Sequence, residues 1–428
     1  MKNNLISPLK GTRDFYPEDM KKRRSLLDNL RKTIELYGYE EYDAPLLESF
    51  DLYAAKSSPE IIERQSYVFE DRGGDRIVVR PEMTPSIARM IAAKQRELPS
   101  ILRWYSFPEC WRYERPQKGR LRNFLQVNVD LIGSDSMEAD VEAIDLALSM
   151  IRSLGIDMSK IEVRINDRRL LEGWLTDAGV SLDKKANVLS LLDEKDKLEP
   201  EVFRARLIEL CDSEAADRLI QNLGLTPEAL RIEEKALRLC ETQKQLVNLG
   251  WGNNVKIDAT VIRGFTYYTG VVFEVYETSG QFRRAIFGGG RYDQLVEAVG
   301  GSPVSGVGFA VSDVSLQELL VTQNKEIIGT KNNAVMLIPF SDEQSSEQVK
   351  LSNLLRTDGI ATMISFPPYG FSPQLKLAQR KGVRIAVLLA PEELKAGQVL
   401  VRDLQTGTQK SVSINALPTY CKQLTQTT

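Results

Sequence analysis

The chain has 428 residues, 42% of them hydrophobic, with 56 Lys and Arg against 59 Asp and Glu and a formal net charge of -3; it is long enough for two or three domains with real cores, and it is no general basic coat for nucleic acid, though a local basic patch stays open. It contains no histidine, which excludes a histidine general base, Ser-His and Cys-His nucleophile systems and imidazole metal sites, and leaves carboxylates, Arg, Lys, Tyr, substrate groups or carboxylate-bound Mg²⁺ to carry any chemistry. Four cysteines without a CxxC pair exclude a zinc knuckle and a disulfide framework, and a polar opening segment with no apolar run near the ~18 residues of a membrane span predicts a soluble, cytoplasmic protein.

Leu26, Leu27, Leu30, Ile34 and Tyr37 recur at helical spacing, so a helix is expected from Met20 to Tyr37 with Gly38 as its stop. Tyr39 to Leu47, with Pro45, then reads as an extended, possibly edge, segment. In IVVRPE, Arg80 and Glu82 alternate onto one side, and RPEMT (Arg80 to Thr84) leaves an extended strand just before a helix over about Pro85 to Gln95. Glu82 there can accept from an ammonium group and Thr84 adds a hydroxyl at the helix start; a simple N-cap with a surface ion pair explains the same residues.

Residues 103 to 133 read as two alternating strands joined by a basic, Gly-hinged loop. In the second, Gln126, Asn128 and Asp130 share one face, while Leu125, Val127, Val129 and Leu131 share the other. Arg112 and Glu114 share a face of the first, so the hairpin aims a guanidinium and several hydrogen-bonding groups into one space suited to a small polar, anionic ligand. In the loop, Lys118, Arg120 and Arg122 surround Gly119, with Gln117 beside them, a composition that fits phosphate contacts or a solvated hairpin tip. A helix follows from near Met137.

From about 170 to 250 the sequence becomes charged, Leu-rich and helical, which reads as an insertion. Strand patterns return in VKIDATVI, YYTGVVFEVYE, FRRAIFGGGRYDQLV and SGVGFAVS, so the first sheet is completed after the insertion. RGFTYYTG sets Arg263 before Gly264 and a strand with Tyr267 and Tyr268 on opposite faces. An arginine here can neutralise a carboxylate and a phosphate as they react, whereas either tyrosine also fits a core position. FGGGRYDQL has neither GxGxxG nor GxxxxGK[ST] order; its glycines allow close approach of a nucleotide or a neighbouring strand, or a plain turn. The pattern predicts an α+β domain on an antiparallel sheet over 1–325. Beyond a boundary at IGTKNN, strands and helices alternate over 331–428 as in a small, largely parallel α/β domain.

Taken in order, these blocks resemble the histidyl-tRNA synthetase family of class II aminoacyl-tRNA synthetases. KGTRDFYPEDM is similar to its N-terminal signature, GYEEYDAPLLE to motif 1, RPEMT to the histidine-binding strand and WRYERPQKGRLRNFLQVNVDLIG to motif 2. VIRGFTYYTG and GGGRYDQL resemble the two histidine-specific motifs. The resemblance implies a class II catalytic fold with an anticodon-binding C-terminal domain, and ATP-dependent attachment of L-histidine to its tRNA through histidyl-adenylate. It implies Arg112 on the ATP α-phosphate, Glu114 at the adenine end, and Glu82, Thr84 and Gln126 on the substrate ammonium. Asp130 and Tyr268 would read the imidazole, Tyr267 would line the pocket and Arg263 would be the catalytic arginine. ATP, Mg²⁺, histidine tRNA and a homodimer through motif 1 are implied as well, with Gln117, Lys118, Arg120 and Arg122 as tRNA contacts and no metal ligand assigned.

Three departures stand out. Met83 replaces a usual Gly, Asp130 replaces a frequent Glu, and Ser315 occupies the position colinear with the motif 3 arginine, with no Arg or Lys between Arg291 and Lys325. A hydroxyl does not replace a bidentate guanidinium on phosphate. The runner-up family is the non-catalytic, histidine-sensing regulatory subunit of ATP phosphoribosyltransferase; a tRNA-binding or stress-sensing module is a third reading.

Overall fold

The computed structural model describes residues 6–54, 65–117, 119–193, 195, 198–225, 229, 236–262, 267–280, 282, 284–329, 333–366 and 371–426. They form two compact units, Met1–Ile328 and Gly329–Thr428.

The first unit is built on a nine-stranded sheet with strand order β1-β5-β7-β12-β11-β10-β8-β9, and β6 paired to β7 beside that path. The strands are β1 (Glu40–Glu41), β5 (Leu102–Ser106), β6 (Glu109–Trp111), β7 (Asn123–Ile132), β8 (Ile161–Asp167), β9 (Val255–Ile257), β10 (Val271–Glu277), β11 (Phe287–Arg291) and β12 (Gly306–Ser312). Pairing is antiparallel except at the two margins, where β1 runs parallel to β5 and β9 parallel to β8. A three-stranded sheet, β2 (Leu47–Ser49), β3 (Tyr67–Glu70) and β4 (Arg76–Val79), stands apart.

One face of the large sheet is covered by α1 (Pro17–Glu35) and its partners. Leu26, Leu30 and Ile34 of α1 meet Val127, Val129 and Leu131 of β7 in the main core, so the period-2 alternation of β7 sends its apolar set to helices. The first helix starts at Pro17, three residues before the expected Met20, because proline at N1 loses no hydrogen bond there. Gly38 does follow it with a φ of 77°. Helix α2 (Thr84–Lys94) lies on the opposite side of the sheet, with Ile87, Ala88 and Ile91 packed on Leu102, Ile132 and Val272.

After β7, α3 (Met137–Ser153) fills the core face. The helical insertion then contributes α4 (Arg168–Asp177), α5 (Leu182–Asp193), α6 (Pro200–Leu210), α7 (Ser213–Leu223) and α8 (Leu237–Leu246). Strand β8 precedes it; Ile161, Val163 and Ile165 alternate there with Glu162, Arg164 and Asn166, a strand pattern absent from the expected elements. The first arm of the expected hairpin is two strands, not one: Phe107 and Pro108 interrupt it, and proline donates nothing to a ladder. Helix α9 (Asp313–Thr322) follows β12 and is pinned by Arg13, which donates to Asp313 at 2.8 Å, while the other Asp313 oxygen accepts from the Leu125 amide at 2.9 Å.

The second unit carries a five-stranded sheet, order β14-β13-β15-β16-β17, from β13 (Val335–Pro339), β14 (Thr362–Ile364), β15 (Ile385–Leu389), β16 (Gln398–Asp403) and β17 (Gln409–Ser413). Helices α10 (Ser345–Thr357), α11 (Phe371–Arg380) and α12 (Leu417–Gln426) flank it. The sheet is mixed and not largely parallel: β14, β13 and β15 run parallel, but β16 and β17 return antiparallel. Strand β17 escaped the sequence reading because QKSVS is exposed except at Val412. Among the described residues no helix is long and apolar enough to cross a membrane.

Candidate active site

The face of the large sheet opposite α1 forms the floor of a cavity of about 780 Å³, within the range of small-ligand sites. Its shape follows from the register. One row across the sheet reads Asp130, Gly308, Gly290, Val272, Asn166; the next reads Asn128, Ala310, Gly288, Glu274, Arg164; the third passes from Gln126 to Ser312 and, beyond Ile286, to Tyr276 and Glu162. The two central strands thus present Gly, Ala and Ser where the outer strands present long polar side chains, and the result is a trough. The glycines also take no larger residue: a Cβ on Gly308 would strike Asp130, and one on Gly290 would sit 2.8 Å from the Tyr268 ring. The glycines of GGGRYD are therefore strand, not turn, and the strand ends at Arg291. Its Arg291 is 1% exposed and donates from Nε to Asp140 at 2.8 Å, tying β11 to α3.

Glu82, Thr84, Arg112, Glu114, Arg120, Gln126, Asp130, Tyr267 and Tyr268 all line this cavity. They come from four separate stretches of chain. Arg263 and Lys118 lie outside the described residues. Gln117 and Arg122 are not on the wall. Gln117 exchanges backbone hydrogen bonds with Arg120 around Gly119, while Arg122 donates from Nε to the Glu114 carbonyl at 3.1 Å and lies 4.3 Å over the Tyr113 ring.

Strand β4 ends at Val79, so Arg80 and Glu82 do not share a strand face. Arg80 is buried and donates from Nη1 to the Ala44 carbonyl at 2.8 Å, whereas Glu82 turns to the cavity and is 3% exposed. That burial removes the surface ion-pair explanation of RPEMT. Thr84 is the first helical residue, and Met83, not Thr84, holds the N-cap position. Tyr267 and Tyr268 do not point to opposite faces: β10 begins only at Val271, so strand alternation does not reach them. Their rings lie 4.8 Å apart, both on the cavity, and Tyr267 donates to Glu82 Oε2 at 3.3 Å.

At the Glu82 end sits Asp130. Tyr292 donates to one of its oxygens and the Asn128 amide to the other. Burial pushes its carboxyl up to about 7, against those hydrogen bonds, which favour the charged form. Tyr292 was missed by the sequence reading; its partner is more than 150 positions away, and only its adjacency to the glycines of GGGRYD marks it. Gln126 Oε1 accepts from Cys110 Sγ at 3.6 Å. Arg112 donates from Nε to the carbonyl of Pro81, the residue before Glu82, at 3.0 Å and lies over Phe124, while Arg120 pairs with Glu114 at 3.6 Å. The trough thus brings together carboxylates and phenols suited to an ammonium and a nitrogen heterocycle and guanidiniums suited to phosphate. Ser315 is on the wall with Ser312, whose hydroxyl accepts from the Ser315 amide at 3.0 Å.

Comparison with known proteins follows the same division. Residues 11–316 match the family model of histidyl-tRNA synthetase, and residues 334–424 match that of the anticodon binding domain. The chain is 37% identical over 415 residues to the histidine–tRNA ligase of Leptospira biflexa, covering 95% of each protein. It is 35% identical to that of Thermoplasma volcanium, covering 98% of this chain and 99% of the relative. Among solved structures, the histidyl-tRNA synthetase of Nostoc sp. PCC 7120 has the same fold at a TM-score of 0.77 and 23% identity, covering 99% of this chain and all of that one. A Bacillus halodurans protein described as an ATP phosphoribosyltransferase regulatory subunit/histidyl-tRNA synthetase superposes at 0.72, with 24% identity over 91% of this chain and 99% of its own. With both of its units matched and whole-length relatives well above 30% identity, this chain belongs to the histidyl-tRNA synthetase family.

Proposed function

We propose that the cavity activates L-histidine with ATP and that the protein then transfers the histidyl group to the 3′-terminal ribose hydroxyl of histidine tRNA. In the first step a histidine carboxylate oxygen attacks the α-phosphorus, the bond to the bridging oxygen breaks, and histidyl-adenylate and pyrophosphate form. In the second, the ribose hydroxyl attacks the acyl carbon and AMP leaves. The observation that carries this reading is the single trough lined by both amine-accepting and phosphate-accepting groups.

The roles follow the chemistry of each group. Glu82, Thr84 and Gln126 hold the ammonium; Asp130, kept in place by Tyr292 and Asn128, and Tyr268 read the imidazole; Tyr267 closes the wall. Arg112 holds the α-phosphate, and Glu114 accepts from the adenine amine. Catalysis is then alignment and charge neutralisation, which asks for no protein histidine. Among the described residues no three His, Cys, Asp or Glu cluster to hold a metal. That donor set fits a Mg²⁺ that arrives on the triphosphate and keeps most of its waters, with Glu274 on the cavity floor to hold it; bound there, it would offset phosphate charge.

In the second unit Phe340 and Phe371 stack at 5.7 Å and Phe366 is 70% exposed, which supports stacking of unpaired anticodon bases. The two-residue strand β1 at the sheet margin, with Leu46 and Leu47 exposed nearby, supports a homodimer through this region. Four free thiols suit a cytoplasmic protein.

Arg263 carries the catalytic assignment through the family motif alone, and its substitution tests it. Arg263→Ala should lower histidine-dependent ATP–pyrophosphate exchange by at least about 100-fold while histidine binding, measured by calorimetry, stays within a few-fold. Equal loss of binding and exchange would remove the transition-state role.

A further inference from the structure

The set of guanidiniums on the trough is incomplete if it rests on the hairpin loop alone. A nucleoside triphosphate presents several anionic oxygens along its chain, and a loop that supplies Arg112 and Arg120 approaches them from one side only. The opposite wall is α9, whose first turn offers Ser312 and Ser315 and no cation. Antiparallel pairing of β11 with β12 brings the segment leading into β11 beside the point where β12 passes into α9. That segment carries Arg284, which lines the same cavity as Ser315, Arg120 and Glu114.

The position of the Arg284 side chain is fixed by what it touches. Gly119, at the tip of the basic loop with a φ of 71°, approaches it so closely that a Cβ there would lie 2.7 Å from Nη2 of Arg284 and would strike Glu318 Oε2 as well. The guanidinium therefore lies against the tip of the loop, beside Glu318, which stands one turn along α9 from Ser315. Arg120 and Arg284 are close enough for each charge to oppose the other, with Glu318 and Glu114 offsetting them. Two guanidiniums facing one another across a cavity are costly until an anion joins both.

Resting on the proposed function, we propose that Arg284 binds the β- and γ-phosphates of ATP from the α9 wall, in the place that Ser315 leaves without a cation. Arg112 holds the α-phosphate from the loop side, and Arg284 closes on the far end of the same chain. The anion then takes over the charge balance that Glu318 supplies in the free protein.

Arg284→Ala, Arg284→Lys and the double variant Arg284→Ala with Ser315→Arg test this in the full-length protein. In histidine-dependent exchange, Arg284→Ala should raise the KM for ATP roughly 10- to 100-fold, the loss of charge-assisted hydrogen bonds, and leave the KM for histidine within about twofold. Lysine should recover part of that loss. Adding Ser315→Arg to Arg284→Ala should bring the KM for ATP back by about tenfold, a rescue that a merely structural arginine would not allow. An unchanged KM for ATP, or a parallel rise in both KM values, would overturn the assignment. ATP binding to each variant by calorimetry, without histidine or tRNA, decides the matter even if the wild-type protein shows no exchange. A binding loss in Arg284→Ala then retains the phosphate contact while the synthetase reading fails, and equal binding ends it.

Discussion

Asp130 is the most telling single residue. Its carboxyl lies in the cavity floor, held by Tyr292 and Asn128, and burial raises it to about 7. In a chain without histidine no ordinary side chain has its intrinsic pKa between pH 5 and 8, so this group stands out. The folded carboxyl keeps its proton up to about pH 7, whereas the unfolded one releases it near pH 4. The folded state thus holds the extra proton, and the stability Asp130 contributes is full below the unfolded value and lost as pH rises through about 7. Urea unfolding at pH 5.5, 6.5 and 7.5 should show wild-type stability falling relative to Asp130→Asn by up to about 2 kcal/mol across that window. Parallel curves would mean that the buried carboxyl is already ionised. The shared face of Gln126 and Asp130 was legible in the sequence, because strand alternation fixes which way they point; the direction of Glu82 was not, because β4 ends at Val79 and alternation does not reach it. Tyr292 and Arg284 were not: the contacts that give them meaning join positions far apart in the chain.

At the scale of elements, the trough is a product of register. Gly308, Ala310, Gly288 and Gly290 occupy the rows in which β7 and β10 place long side chains, so two strands of small residues separate two banks of polar ones. The sequence displayed the glycines but not their neighbours; a strand and a turn remained equally good readings of GGG until pairing set Gly288 opposite Ala310. Gly308→Ala tests the consequence. Its methyl group would meet the Asp130 carboxylate, which Tyr292 and Asn128 hold in place, and the Val129 carbonyl, a backbone atom of the neighbouring strand. The KM for histidine should rise at least about tenfold and stability should fall by about 1–3 kcal/mol. A methyl group accepted without either change would show that the two strands lie further apart. The interrupted first arm of the hairpin has an equally local cause: Phe107 and Pro108 break it in two, and its second strand ends at Trp111, so Arg112 and Glu114 reach the cavity from irregular chain and not from a shared strand face.

At the scale of the molecule, each unit has its own core. Val335, Leu337, Ile385 and Val387 of the second unit pack with Leu351, Leu355 and Leu417, apart from the core of the first. The division near IGTKNN was visible as a change from an irregular to an alternating strand and helix pattern. The direction of the last two strands was not, since a short exposed strand such as β17 carries little hydrophobic signal. If the cavity performs activation and the second unit recognises tRNA, a chain ending after Ile328 should keep histidine-dependent exchange within about tenfold and lose at least about 100-fold in tRNA charging. Comparable losses in both would mean that the two units do not divide the work.

The central claim is that one trough joins histidine to ATP. ATP–pyrophosphate exchange by the purified full-length protein, with and without L-histidine, and beside an assay of ATP phosphoribosyltransferase activation, tests it most directly. Exchange should require L-histidine and be lost when Glu82 or Arg112 is replaced by alanine. No exchange, together with activation of the phosphoribosyltransferase, would contradict it.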